Sequence, residues 1–186
     1  PLSKATPRKK LHTRSIELNG YQREDNLWEI EAHLTDIKTY PIKNQYRDGI
    51  EPGEAIHEMW VRITLDDSYT IVDAEAVTDN SPFEICPNIT GAYKELIGIR
   101  IGVGWRRALN EKVKGRLGCT HINELMGPIA TVAFQTMIGP LQRKKAKKDH
   151  AELFKPMIIN SCHAWADDGD VVKTHFPEFY KGEDVK

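Results

Sequence analysis

Alternation dominates the first third of the chain. In "LWEIEAHLTDIKTY", Trp28, Ile30, Ala32 and Leu34 fall on one side of an extended segment. Glu29, Glu31, His33 and Thr35 fall on the other. "IHEMWVRITLDD" repeats the pattern, with His57, Met59, Val61, Ile63 and Leu65 opposite Glu58, Trp60, Arg62 and Thr64. "DDS" then reads as a hairpin turn and "YTIVDAEAVT" as the returning strand. Upstream, "LHTRSIELNGY" sets Ile16 and Leu18 two apart, with Asn19-Gly20 as a turn signal. "IKNQYRDGIEPGEA" is rich in turn residues and reads as a loop. An antiparallel sheet of about four strands follows from this spacing.

The period then changes. "NITGAYKELIGI" predicts a short helix from about Thr90, and "GWRRALNEKVKGRLG" sets Trp105, Ala108, Leu109 and Val113 at helical spacing. "THINELMGPIATVAFQTMIGPLQRKKAKK" is the longest helical pattern. Its apolar stripe is Ile122, Leu125, Met126, Ile129, Val132, Ala133 and Met137. Gly127-Pro128 and Gly139-Pro140 are expected to bend or interrupt it. The basic run "RKKAKKDH" reads first as a solvated helix end. The last 30 residues have no clear period, yet Trp165, Phe176, Phe179 and Tyr180 call for burial. The expected architecture is α+β: residues 1–150 as one domain, with a helical half packed on one face of the sheet. Residues 151–186 are expected to be an ordered aromatic tail packing on the body or on a partner subunit.

Composition narrows the function classes. Twenty-six Lys and Arg stand against 27 Asp and Glu, a net charge of −1. Nothing global therefore draws the chain to nucleic acid or to an anionic membrane. No apolar run approaches the roughly 20 residues of a membrane helix, and "PLSKATPRKKLHTRS" has no apolar core of a secretory signal. Three widely spaced cysteines, Cys86, Cys119 and Cys162, fit a reduced, cytoplasmic protein better than a disulfide framework. There is no G-x-G-x-x-G after a strand, no Walker-type loop, no H-E-x-x-H, no C-x-x-C and no G-x-S-x-G elbow. Nicotinamide, flavin and nucleoside triphosphate chemistry have no support.

What remains are scattered acid–base groups. His57 shares a face with Met59, Val61, Ile63 and Leu65, so it points to the core or its rim. There it is either a satisfied core histidine or a general base or ligand at a pocket mouth. His33, on the polar face, is followed by Asp36 and Tyr40. His33 and Asp36 make a base with an orienting carboxylate only if the strand bulges. Tyr40 and Tyr46 flank the loop, and either phenol can donate to a developing oxyanion. In "GRLGCTHINELMGP", Thr120 is the expected helix cap, which sets Cys119 beside unsatisfied backbone N–H groups that favour thiolate. Cys119 and His121 are then a working pair, two ligands of a metal or a plain helix start. Arg100, between glycines, is a clamp for a carboxylate or phenolate, or one half of a structural ion pair.

"LHTRSIELNGYQREDNLWEIEAHLTDIKTYPI", "IHEMWVRITLDD", "DAEAVTD", "CPNI", "IGIRIGVGW" and "GCTHINELMGPIATVAFQT" together resemble a bacterial family catalogued only as domain of unknown function 2889. The family's pattern falls on His33, Asp36, Tyr40, His57, Arg62, Cys86, Arg100, Gly118, Cys119 and His121. Its members are often found in bacteria that degrade lignin-type aromatics. The resemblance implies a cofactor-independent step on a phenolic compound, such as a lyase releasing formaldehyde from a hydroxymethyl side chain. The layout is also similar, more faintly, to iron–sulfur cluster scaffolds. That alignment sets His57, Cys86 and Cys119 near metal positions, but Ala55 stands where a scaffold has a further cysteine.

Three expectations result. The first is a lyase on a small aromatic substrate with no cofactor. His57, His121, Tyr40, His33 and Asp36 form its acid–base set, and Arg100, Cys119, Arg62 and Trp105 contact substrate. The second is a zinc- or iron-binding protein using His57, Cys86 and Cys119. The third is a binding module, possible as a homodimer, that uses the aromatic tail.

Overall fold

A computed structural model of the chain describes residues 1–145 and 158–182. They form two compact units, residues 1–137 and 138–186.

The first unit opens with four strands, β1 (His12–Gln22), β2 (Trp28–Lys38), β3 (Ala55–Leu65) and β4 (Ile71–Asn80). They pair as an antiparallel meander in the order β1-β2-β3-β4. The register aligns Trp28 with Leu65, Ile30 with Ile63, Ala32 with Val61, Leu34 with Met59 and Asp36 with His57. Directly opposed residues share a face, so one inner face carries this apolar series and ends in Asp36 and His57. Trp28, Ile30, Leu34, Met59, Ile63 and Leu65 are fully buried there. The β3–β4 turn is held by Asp66, whose carboxylate accepts from the Ser68 and Thr70 backbone N–H groups.

A 3-10 helix (Cys86–Leu96), α1 (Trp105–Val113) and α2 (Thr120–Lys145) follow. The α+β arrangement read from the pattern is thus the observed one. The segment expected as a short α-helix from Thr90 is a 3-10 helix beginning at Cys86. Neither Gly-Pro pair interrupts α2. Ile122, Leu125, Met126, Ile129, Ala133 and Met137 are completely buried along it, and such packing outweighs local helix-breaking preferences. Asn19-Gly20 is not a turn. Both residues lie inside β1, and the reversal comes later, with Asn26 in the left-handed region at φ 68°. Gly20 is there for closeness: a Cβ at that position would fall on the Thr136 side chain of α2.

In the second unit, 3-10 turns His163–Trp165 and Pro177–Phe179 flank α3 (Asp170–His175). The Trp165 and Phe176 rings meet at 5.5 Å, and Val172 is buried. Apart from Arg143, Lys144 and Lys145, the basic run lies outside the described residues.

Candidate active site

The site grows from a cross-strand row. Arg14 of β1 stands opposite Asp36 of β2, which stands opposite His57 of β3. Asp36 is a carboxylate in a position where the preceding inner residues are Leu34 and Ala32, and it is only 3% exposed. A buried carboxylate must be matched by donors. Arg14 supplies two, Nε to Oδ1 at 2.8 Å and Nη2 to Oδ2 at 2.7 Å. His12 Nε2 lies 2.8 Å from Oδ1, and His57 Nδ1 lies 3.0 Å from Oδ2. Each oxygen therefore has two partners, which fills the carboxylate's four acceptor directions.

Helix α2 closes the group from the other side. Its first turn brings His121 against His57, ring centroids 3.6 Å apart, with His121 Nε2 3.8 Å from Asp36 Oδ2. One turn on, Glu124 hydrogen-bonds Arg14 Nη1, so Arg14 bridges sheet and helix. The helix starts one residue earlier in function than expected. Asn123 N–H donates to the Cys119 carbonyl at 2.9 Å, so Cys119 rather than Thr120 occupies the cap. The buried Tyr93 hydroxyl fixes Cys119, accepting its backbone N–H at 3.0 Å and lying 2.8 Å from Asn123 Oδ1. Asn123 Nδ2 donates to the Val113 carbonyl at 2.7 Å. Gly118 passes so close to that carbonyl that any Cβ would overlap it. The Cys119 Sγ ends 3.9 Å from His121 Nδ1.

The electrostatics follow from these contacts. Burial pushes the Asp36 carboxyl up, but the hydrogen bonds and charge of Arg14, together with His12 and His57, win and hold it well below the usual carboxylate range. Burial lowers the His57 imidazole, and the neighbouring His121 lowers it further, against the opposing pull of Asp36. His57 facing an anion yet titrating low is consistent if the ring is neutral. Its Nδ1–H then donates to Asp36 and its Nε2 keeps a free lone pair. Burial raises the Cys119 thiol, but the His121 ring and the backbone N–H groups of Ile122 and His121 outweigh it, so the net movement is downward.

Asp36, His57 and His121 also offer one ligand atom each within 4.8 Å of one another, and among the described residues they are the group with that geometry. Neither Cys86 nor Cys119 belongs to it, so the expected set of His57, Cys86 and Cys119 is not the one assembled. A metal ion on Asp36 would have to displace the His57 hydrogen bond and sit beside the Arg14 guanidinium.

Of the other sequence candidates, His33 does not pair with Asp36. The two are three apart on a strand with regular pairing up to Asp36, and so lie on opposite faces. His33 instead lies 3.2 Å from Glu58 and stacks on Trp60 on the outer face. Arg62 is on that outer face too, between Glu31 and Glu75. Arg100 donates to the Ser68 carbonyl at the β3–β4 turn, the far end of β3 from His57. Eight strand residues separate those ends, about 26 Å. Trp105 is buried at the start of α1, with no acceptor for its indole N–H among the described residues. Tyr40 is exposed beside Lys38. Tyr46 packs edge-on to Phe83. His12, Arg14 and Glu124 were not among the candidates. Extending the Ile16–Leu18 alternation backwards puts Arg14 and His12 on the inner face, a signal that was in the sequence.

The architecture and this cluster define an α+β protein with a buried carboxylate that orients imidazoles between a meander sheet and one long helix. The chain belongs to the family described as protein of unknown function DUF2889, whose model matches residues 12–135. That span begins at His12 and contains every residue of the cluster. Neither the curated proteins nor the solved structures compared with the chain gave a match.

Proposed function

We propose that the chain is an acid–base lyase acting on a small phenolic aromatic compound, releasing formaldehyde from a hydroxymethyl side chain without a redox cofactor. The observation that carries this reading is the 3.0 Å contact between His57 Nδ1 and Asp36, which leaves Nε2 as a neutral, oriented base. Nε2 takes the proton of the hydroxymethyl group. The carbon–carbon bond to that group breaks and formaldehyde leaves. The bonding pair forms a carbon–carbon double bond as an adjacent benzylic carbon–oxygen bond breaks, and the proton passes to the departing oxygen. His121, whose ring stacks on His57, hands that proton on in this reading. Substrate and products stand at one oxidation level, so no electron acceptor is needed.

The test is a panel of phenolic dimers bearing hydroxymethyl groups, assayed for formaldehyde with the wild-type chain and with His57→Ala. Release by the wild type and a loss of at least a hundredfold in the variant support the reading, given the usual 10²–10⁴ contribution of a general base. No release from any member, or equal release by a folded variant, overturns it.

A second reading, a zinc or iron protein, is favoured by one observation, the 4.8 Å grouping of Asp36, His57 and His121. It requires about one metal per chain in elemental analysis, lost in His121→Ala.

A further inference from the structure

The outer face of the sheet is separate from the inner cluster. Its residues form two rows read straight from the register. Glu17, His33, Trp60 and Val77 are opposed across the four strands, and beside them Asn19, Glu31, Arg62 and Glu75. Both rows are unusual for a plain solvated surface. His33 and Trp60 stack with centroids 3.6 Å apart and planes 6° from parallel, and Trp60 remains 39% exposed. The stack is braced from both ends: His33 lies 3.2 Å from Glu58, and Trp60 Nε1 donates to Asp79 at 3.0 Å. The stack therefore stands up from the sheet as a rigid partition.

A hollow lies on each side of it. One, of about 290 Å³, is bounded by Trp60, Arg62, Glu75 and Val77 over β3 and β4. The other, of about 250 Å³, is bounded by Glu17, Tyr21, His33 and Trp60 over β1 and β2. Glu31 borders both. Arg62 shows what this chemistry accepts. Its Nε lies 2.8 Å from Glu31 and its Nη1 3.1 Å from Glu75. Three carboxylates line the hollows, Glu17, Glu31 and Glu75, against that one guanidinium, which bridges the last two, so the patch keeps a surplus of negative charge. Carboxylates beside an aromatic face suit a planar cation that can both stack and hydrogen-bond, which is the arginine side chain.

We propose that this face binds an extended, arginine-bearing peptide segment that crosses the strands and seats one guanidinium in each hollow. The hollows lie over neighbouring strand pairs, about 10 Å apart at the usual strand spacing. In a polyproline-II segment, residues three apart fall on one face about 9 Å from each other. The segment recognised is thus Arg-x-x-Arg in an extended conformation. The inference does not depend on the activity of the inner cluster.

The probe is the peptide Gly-Arg-Pro-Pro-Arg-Gly, titrated into the full chain at low salt and followed by amide chemical shifts. Its expected effect is saturable shifts confined to outer-face residues of the sheet, with affinity falling as salt is raised. Trp60→Ala, checked for an unchanged melting temperature, weakens binding at least tenfold. A second variant, Glu31→Gln/Glu75→Gln, weakens it comparably and keeps the proposal testable if Trp60→Ala does not fold. The peptide with glutamine for both arginines does not bind, and one with the arginines adjacent binds more weakly. Absence of shifts, shifts elsewhere on the chain, or equal affinity for the glutamine peptide or for the folded variants overturns the proposal.

Discussion

His57 and Asp36 face each other across β2 and β3, and the imidazole Nδ1 comes within 3.0 Å of the carboxylate Oδ2. Everything else in the cluster serves that contact. Arg14 and His12 satisfy the remaining acceptor directions of Asp36, and His121 covers the other side of the His57 ring. A carboxylate in this role fixes which ring nitrogen carries the proton.

Asp36→Asn keeps the shape and inverts part of the hydrogen bonding. The new amide directs N–H groups at Arg14 or His57, which are themselves donors. The expected loss of stability in urea denaturation is on the order of 1.5–3 kcal/mol, the range for a hydrogen bond to a charged group. On the proposed function, formaldehyde release falls with it, because His57 loses its preferred tautomer.

Acid stability follows the Asp36 shift. The folded carboxyl titrates below its unfolded value near 3.9, so the unfolded chain binds more protons in between. The contribution of Asp36 is whole above about pH 4 and drains away as pH falls through the lower folded value. Unfolding curves between pH 2 and 6 should show a steep decline in the wild type and a shallower one in Asp36→Asn.

On the proposed function, the pH dependence of activity reports His57. Its imidazole is lowered by burial and by His121, so the base stays neutral down to a pH below the ordinary 6.5. The acidic limb of kcat/KM should inflect below 6.5. In His121→Ala it should move upward, because one of the lowering influences, beside burial and the Arg14 charge, is gone. The same sign holds for stability: the benefit of a neutral His57 is lost as pH drops below 6.5.

Cys119 should titrate low for a thiol. With its thiol moved down by His121 and by backbone N–H groups, it should react with iodoacetamide at a lower pH than an ordinary free thiol. In His121→Ala the midpoint rises. Mass spectrometry of the labelled chain separates the three sites.

Tyr93→Phe removes the hydroxyl that accepts the Cys119 N–H and lies against Asn123. It leaves a half-buried donor unpaired, at a cost of about 1–3 kcal/mol. The first turn of α2 should loosen, read as faster amide exchange at Cys119 while the sheet amides keep their protection.

Much of this was legible in the chain. Alternation gave the faces of β2 and β3, and with them the inward aim of His57. The helical stripe of α2 was equally plain, because Ile122, Leu125, Met126 and Ile129 recur at its period. Three things were hidden by longer-range physics. Gly20 looked like a turn residue because its true reason, the Thr136 side chain, lies 116 positions away. Asp36 needed a bulge to reach His33, and its actual partner, His57, lies across the β2–β3 register 21 positions away. Arg14 could be put on the inner face by alternation, but only the β1–β2 register shows that it faces Asp36. Arg100 failed for a related reason: a loop residue gives no hint of which end of the sheet it joins.

The most direct test of the central claim is nitrogen-15 NMR of the His57 ring through a pH titration of the folded chain. The account predicts a neutral ring protonated on Nδ1 at pH 7, with a midpoint below 6.5. A ring protonated on Nε2, or a midpoint raised above 6.5, would contradict the picture of a base oriented by Asp36.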